Sequence, residues 1–201
     1  MKRLATTFVL LLCAFSVFAV TPAEALNNCK KKIETARSLT ADFAMTVNGQ
    51  KINGKLLSKG AKFAITSNAV SNWYNGKDLY TYSSASNETT VFCPSASELA
   101  EVNPLLYLKS VSEYKVSTTK ARKAGIETVV LIPKRSGTGV KSITLELDSK
   151  TYLPKTISII PSSGAKITVS LSGVKLNAPV DDSSFSYPKS KYPKVQIIDL
   201  R

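Results

Sequence analysis

Ser142-Ile-Thr-Leu-Glu-Leu-Asp148, Lys155-Thr-Ile-Ser-Ile-Ile160 and Lys166-Ile-Thr-Val-Ser-Leu171 alternate apolar and polar residues almost without error. Side chains alternate between the two faces of a strand, so these are three strands with one apolar face each. Tyr152-Leu-Pro154 and Pro161-Ser-Ser-Gly164 lie between them and carry turn chemistry. The trio is a meander with one face for water and one broad apolar face that something must cover.

Working outward, the same alternation marks a strand at Leu39, Ala41, Phe43, Met45 and Val47. Asn48-Gly49 is a two-residue hairpin signal, returning the chain through Lys51–Ser58. Shorter strands are predicted at 62–66, 72–74, 79–82, 89–92, 113–117 and 127–133. Cys29, Ile33 and Ala36 form a stripe that predicts a helix from Asn28 to Leu39. Pro94 stops the sheet. Ser95-Ala-Ser-Glu98 has a capping-box pattern, with the stripe Leu99, Val102 and Leu106 behind it. Pro104 should split that segment into two short helices. The inventory is mainly β, about eleven short antiparallel strands with two helical segments, and strands of that number curl into a barrel or split into a sandwich. Two striped helices need an apolar surface to lie on, and a curled sheet offers one.

The N-terminus predicts export. Met1-Lys-Arg3 is a basic start, Leu4–Val20 is an apolar run, and Ala23-Glu-Ala25 fits a small-x-small cleavage site. Residues 1–25 are therefore expected to be a signal peptide and residues 26–201 one domain. Two cysteines remain, Cys29 and Cys93. In an oxidising compartment they are expected to form a disulfide, the alternative being two free buried thiols.

The chain has no histidine, which removes Ser-His and Cys-His arrangements and the common metal-ligand clusters. Asp181-Asp182 is the one adjacent carboxylate pair among the candidates for acid–base work, and it reads as a turn. No catalytic residues, metal or cofactor are expected, and the chain is not expected to be an enzyme. The formal charge is +13, with lysines spread along the strands, so the bases read mainly as a solvated outer face. Nucleic acid is not an expected partner, because aromatic and basic residues do not interleave. Anionic partners or lipid headgroups suit this charge better.

Four stretches in order resemble the periplasmic outer-membrane lipoprotein carrier (LolA) family. They are Leu39-Thr-Ala-Asp-Phe-Ala44; Gly60-Ala-Lys-Phe63 with Tyr74-Asn-Gly-Lys-Asp-Leu-Tyr-Thr-Tyr82; Val130-Leu-Ile-Pro-Lys134; and Val180-Asp-Asp-Ser-Ser-Phe-Ser-Tyr-Pro188. The resemblance implies a mainly β fold with a helical lid, an incomplete (half-open) antiparallel barrel of about eleven strands, in a periplasmic, monomeric chaperone that holds the acyl chains of lipoproteins and carries them from inner to outer membrane. Its implied partners are acylated lipoproteins, an inner-membrane release complex and an outer-membrane acceptor. Phe63 matches a cavity phenylalanine of the family, and Lys59 stands where members have an arginine that latches the lid. Lysine lacks the rigid fork of arginine. The candidate acyl-chain cavity comprises Phe43, Met45, Phe63, Ile65 and Trp73 from the sheet and Leu99, Val102, Leu105 and Leu106 from the lid. A second reading is a periplasmic regulatory module that senses lipid or lipoprotein on the same fold.

Overall fold

A computed structural model of the chain describes residues 20–47, 50–117, 123–162 and 164–201. The turn expected at Asn48-Gly49 and most of the leader lie outside these residues. Twelve strands form one open sheet: β1 Leu39–Val47, β2 Gln50–Lys59, β3 Lys62–Ser67, β4 Val70–Tyr74, β5 Leu79–Ser83, β6 Glu88–Phe92, β7 Tyr114–Ser117, β8 Ile126–Pro133, β9 Val140–Asp148, β10 Pro154–Pro161, β11 Ile167–Leu176 and β12 Gln196–Asp199. Their spatial order is β12-β6-β5-β4-β3-β2-β1-β11-β10-β9-β8-β7. Neighbours are hairpin partners except at β1–β11, where the two halves of the chain join, and at β12–β6. The sheet is not closed into a barrel.

β12 exceeds the expected strand count, and it pairs parallel to β6 with Gln196 opposite Glu88. Gln196-Ile-Ile-Asp199 is short and does not alternate, so its pattern carries no strand signal. Arg201 ties it down through ion pairs to Asp199 and to Asp78, the latter at 3.1 Å.

Helix α1 runs from Pro22 to Thr35, six residues earlier than the stripe suggests. Its start is set by Thr21. The Thr21 hydroxyl accepts from the Glu24 amide at 3.2 Å, and the Glu24 carboxylate accepts from the Thr21 amide at 2.8 Å. Hydrogen bonds from Thr21 hold the Glu24 carboxyl below its ordinary range. Ala25, Leu26 and Cys29 point into the core, and α1 lies against β7 and β8.

The central insertion is as expected in outline. Helix α2, Ala96–Val102, opens with a Ser95/Glu98 capping box, and a 3-10 segment follows at Pro104–Glu113, kinked at Ser110. Helix α2 buries no residue, whereas the 3-10 segment buries Leu105 and Leu108.

The main core lies on the inner face of the sheet. It joins α1, the 3-10 segment and the inward residues of β8–β10, with Val129, Leu131, Ile143 and Leu147 fully buried. A second cluster lies on the outer face, where the segment after β11 folds back over β3–β5: Ala64, Trp73, Phe185 and Tyr187.

The expected disulfide is corrected: Cys29 and Cys93 are free. Cys29 is buried against the β7–β8 side of the sheet, while Cys93 is exposed just past β6, beside Asp78. The strand order puts β6 and β7–β8 toward opposite ends of the sheet, which sequence spacing cannot show.

Candidate functional site: a lidded apolar groove

Residues that share a face meet as cross-strand neighbours, and here they make an apolar wall. Met45 sits opposite Ile52 on one side and Val169 on the other. Val169 in turn pairs with Ile157, and Ile159 with Ile167. Leu56 faces Ile65. Together with Phe43 and Leu171, these rows bound a cavity of about 290 Å³. The lid closes it with Val102, Pro104 and Leu105, and Glu101 stands at its edge. Phe43 fits because its partner on β2 is Gly54: a Cβ there would come within 2.5 Å of the Phe43 ring and collide with the Thr66 carbonyl.

Two polar side chains of the strands line this wall, Ser67 and the buried Asn72. Asn72 is buried opposite Ile65, and its Oδ1 accepts from the Thr81 hydroxyl at 2.7 Å. Thr81 thereby orients the amide and leaves its NH2 as the donor available to an occupant. Among the described residues, no group of three His, Cys, Asp or Glu side chains could hold a metal. The arrangement offers area and shape to alkyl chains, with little that could act as acid, base or nucleophile.

A second cavity, of about 320 Å³, lies on the other side of the lid's first turn. Leu39, Phe63 and Leu108 form its floor, and Lys30, Lys62 and Lys109 stand around it. Asn103 and Leu105 line both cavities and form the partition between them. The Asn103 side chain caps the 3-10 segment, accepting from the Leu105 amide at 3.2 Å.

The candidates sort by face. Phe43, Met45, Ile65, Val102 and Leu105 line the groove. Phe63 and Leu106 line the second cavity instead, and Leu99 lines neither. Trp73 is a correction: it belongs to the outer cluster, edge-on to Tyr187 and Tyr192 with centroids 5.5 and 6.0 Å away. Its register partner Ala64 shows why, because Ala64 and Trp73 share the face opposite Ile65 and Asn72.

Lys59 is a second correction. It lies on the outer face with Leu57 and points away from the lid, donating to the Val180 carbonyl at 3.3 Å and pairing with Asp182 at 3.0 Å. With Lys62 it holds the Asp182 carboxyl below its ordinary range. Missed by sequence reasoning were Ile52, Leu56, Asn72 and the inward residues of β10 and β11. The last were signalled by the alternation of the strand trio, whose apolar face is this wall.

The family described as outer membrane lipoprotein carrier protein LolA matches residues 14–162. The chain belongs to that family. Comparison with curated proteins gives no match. Among solved structures, an uncharacterized conserved protein from Thermus thermophilus aligns with a TM-score of 0.59 at 10% identity, over 88% of this chain and 98% of that one, which establishes a shared fold. A lipoprotein-sorting protein domain from Vibrio parahaemolyticus aligns at 0.45 and 12% identity, over 87% and 100%. The MucA/MucB complex of Pseudomonas aeruginosa aligns at 0.42 and 14%, over 83% of this chain and 61% of that one.

Proposed function

We propose that the protein is a periplasmic lipoprotein carrier. It takes the acyl chains of a lipoprotein into the groove at the inner membrane and yields them to an acceptor at the outer membrane. The observation that carries this reading is an apolar groove walled by strands from both halves of the sheet, under a lid whose buried side chains are Asn103, Leu105 and Leu108.

The energetics suit a carrier. Burying roughly ten methylenes contributes about 8 kcal/mol, before the costs of association and ordering. The closed lid already covers part of the same wall. A chain entering the groove replaces lid side chains against it, so affinity is set by a difference between two apolar contacts. That keeps binding reversible. The polar NH2 of Asn72 suits an ester or amide carbonyl at the head of an acyl chain.

The test is binding of a diacylated peptide to the processed protein, alongside mass spectrometry for co-purified lipid. Val169→Trp should fill the groove and abolish binding while the far-ultraviolet circular dichroism stays native. Undiminished binding by a folded Val169→Trp protein overturns the reading. Binding of acyl chains without any transfer to acceptor membranes would favour a sensor of lipoprotein over a carrier.

A further inference from the structure

We propose that the returning segment Tyr187-Pro-Lys-Ser-Lys-Tyr-Pro-Lys194, on the outer face of the sheet, is a contact for the surface of an anionic lipid bilayer. The segment is held in one shape. Pro188 and Pro193 each fix a backbone angle, and a 3-10 turn at Lys189–Lys191 lies between them. The Lys191 amide donates to the Pro188 carbonyl at 2.9 Å, and the Tyr192 amide to the Lys189 carbonyl at 3.1 Å. Beneath the turn, the Tyr192 ring stacks on Tyr187 at 5.7 Å between centroids and meets Tyr82 at 4.4 Å and Trp73 at 6.0 Å. This aromatic platform anchors the turn to β4 and β5, so the backbone carrying the lysines is ordered before any partner arrives.

The charge on the turn is not engaged within the protein. Lys189, Lys191 and Lys194 are exposed, and none forms an ion pair among the described residues. Lys59 and Lys62, against the same returning segment, instead share Asp182 at 3.0 and 3.6 Å. Lys191 sets its Nζ over the Tyr192 ring, 5.6 Å from the centroid, a contact that leaves its charge uncompensated. The acidic groups nearby are turned elsewhere. Asp199 is paired with Arg201, and Glu88 alternates to the face opposite Thr89.

An apolar strip lies beside the lysines. Ile197 is in register with Thr89, and Thr89 with Tyr82, so the three form one row across the outer face. Ile197 is 40% exposed, and Tyr82 and Tyr192 are half-buried. Lysines around tyrosine and isoleucine suit the boundary of a bilayer, where rings and side-chain stems lie among headgroups and ammonium groups meet phosphate. An acidic protein surface would match the charge but give Ile197 no apolar counterpart. The contact lies on the face opposite the groove, so it goes beyond the carrier reading and does not rest on what the groove holds.

Co-sedimentation of the full processed protein with vesicles tests this, using phosphatidylcholine alone and an equal mixture of phosphatidylcholine and phosphatidylglycerol. Binding is expected to the anionic vesicles and not to the neutral ones, weakening as salt is added. Lys189→Gln/Lys191→Gln/Lys194→Gln should weaken it about 100-fold, at roughly fivefold per lysine. A chain of formal charge +13 is drawn to any anionic surface, so a control removes equal charge at the far end of the sheet: Lys115→Gln/Lys141→Gln/Lys150→Gln. The control should lose no more than about threefold. Ile197→Ser should lose about threefold at low and high salt alike. Equal losses in the two triple variants mean that net charge alone acts, and overturn the inference. So does absence of vesicle binding, including the case in which the turn binds poly-glutamate instead and belongs to an acidic protein. Every variant should bind diacylated peptide as the parent does. Vesicle binding without peptide binding would touch only the carrier reading.

Discussion

Leu105→Ala isolates the lid. Leu105 is 7% exposed and touches both cavities, so with Leu108 it holds the lid on the sheet. Truncation removes three carbons, worth about 2 kcal/mol at roughly 0.8 kcal/mol each. A further cavity cost is small here, because the site already borders empty space on two sides. The sheet does not depend on this contact, so the loss should fall on lid closure. A shift of about 2 kcal/mol raises the open population by roughly 30-fold. The amides that report it are those of Leu99, bonded to the Ser95 carbonyl, and of Asn103 and Leu106, bonded to the Leu99 and Asn103 carbonyls. Native-state hydrogen exchange should show these three accelerated by about that factor. Amides of Leu145 and Ile157, in the core strands, should stay as protected as before. Acyl-peptide affinity should rise, because less closure energy opposes entry. If core and lid amides accelerated together, Leu105 would be part of the global core and the lid would not be an independent unit.

Four further outcomes are expected. Gly54→Ala should cost about 3 kcal/mol or more in chemical denaturation, since its Cβ meets the immovable Thr66 carbonyl as well as the Phe43 ring. Iodoacetamide at about pH 8 should label Cys93 and spare Cys29 until the protein unfolds, because burial pushes the Cys29 thiol up to about 12. The Asp199 carboxyl is held at about 2 by the Arg201 guanidinium, a depressed value. Its stabilisation of β12 is present above the unfolded value of about 3.9 and is lost as pH falls towards 2. Exchange of the Leu200 amide, bonded to the Val91 carbonyl at 2.8 Å, should quicken over that window and lose this pH dependence in Asp199→Asn. Intact-mass measurement of exported protein should show the leader removed. The mass expected is that of a start at Leu26, after Ala23-Glu-Ala25, and a retained apolar run refutes it.

Much of the sheet was legible because alternation is a strong signal wherever one face is buried and the other wet. The strand trio, β1 and the paired breaks around the lid are of that kind. The signal fails where both faces are covered. In β3 and β4 the inner face carries Ile65 beside the polar Asn72, and the outer face carries Ala64 beside Trp73. The most apolar residue is on the side away from the groove, because the chain's return over β3–β5 gives that side its own core. Nothing local to Trp73 announces this covering segment, which arrives more than a hundred residues later. Lys59 was misplaced for the same reason. Its partner Asp182 belongs to the returning segment, and a lysine on a strand does not declare its face. The start of α1 was obscured by the leader, whose apolar run hides the Thr21 cap behind it.

The open sheet has one more consequence. A sheet that does not close keeps two rims of unpaired backbone, and a long free rim is a template on which copies of a protein polymerise. Among the described residues the outermost strands are four residues long: β7 on one side and β12 on the other. Lys115 interrupts the first, and Asp199 with Arg201 brackets the second. By laying β12 along β6, the chain trades a longer hairpin strand for a short charged one as its outermost border. Stray strand addition is discouraged by the border itself, and the lid is left free to open without serving that purpose.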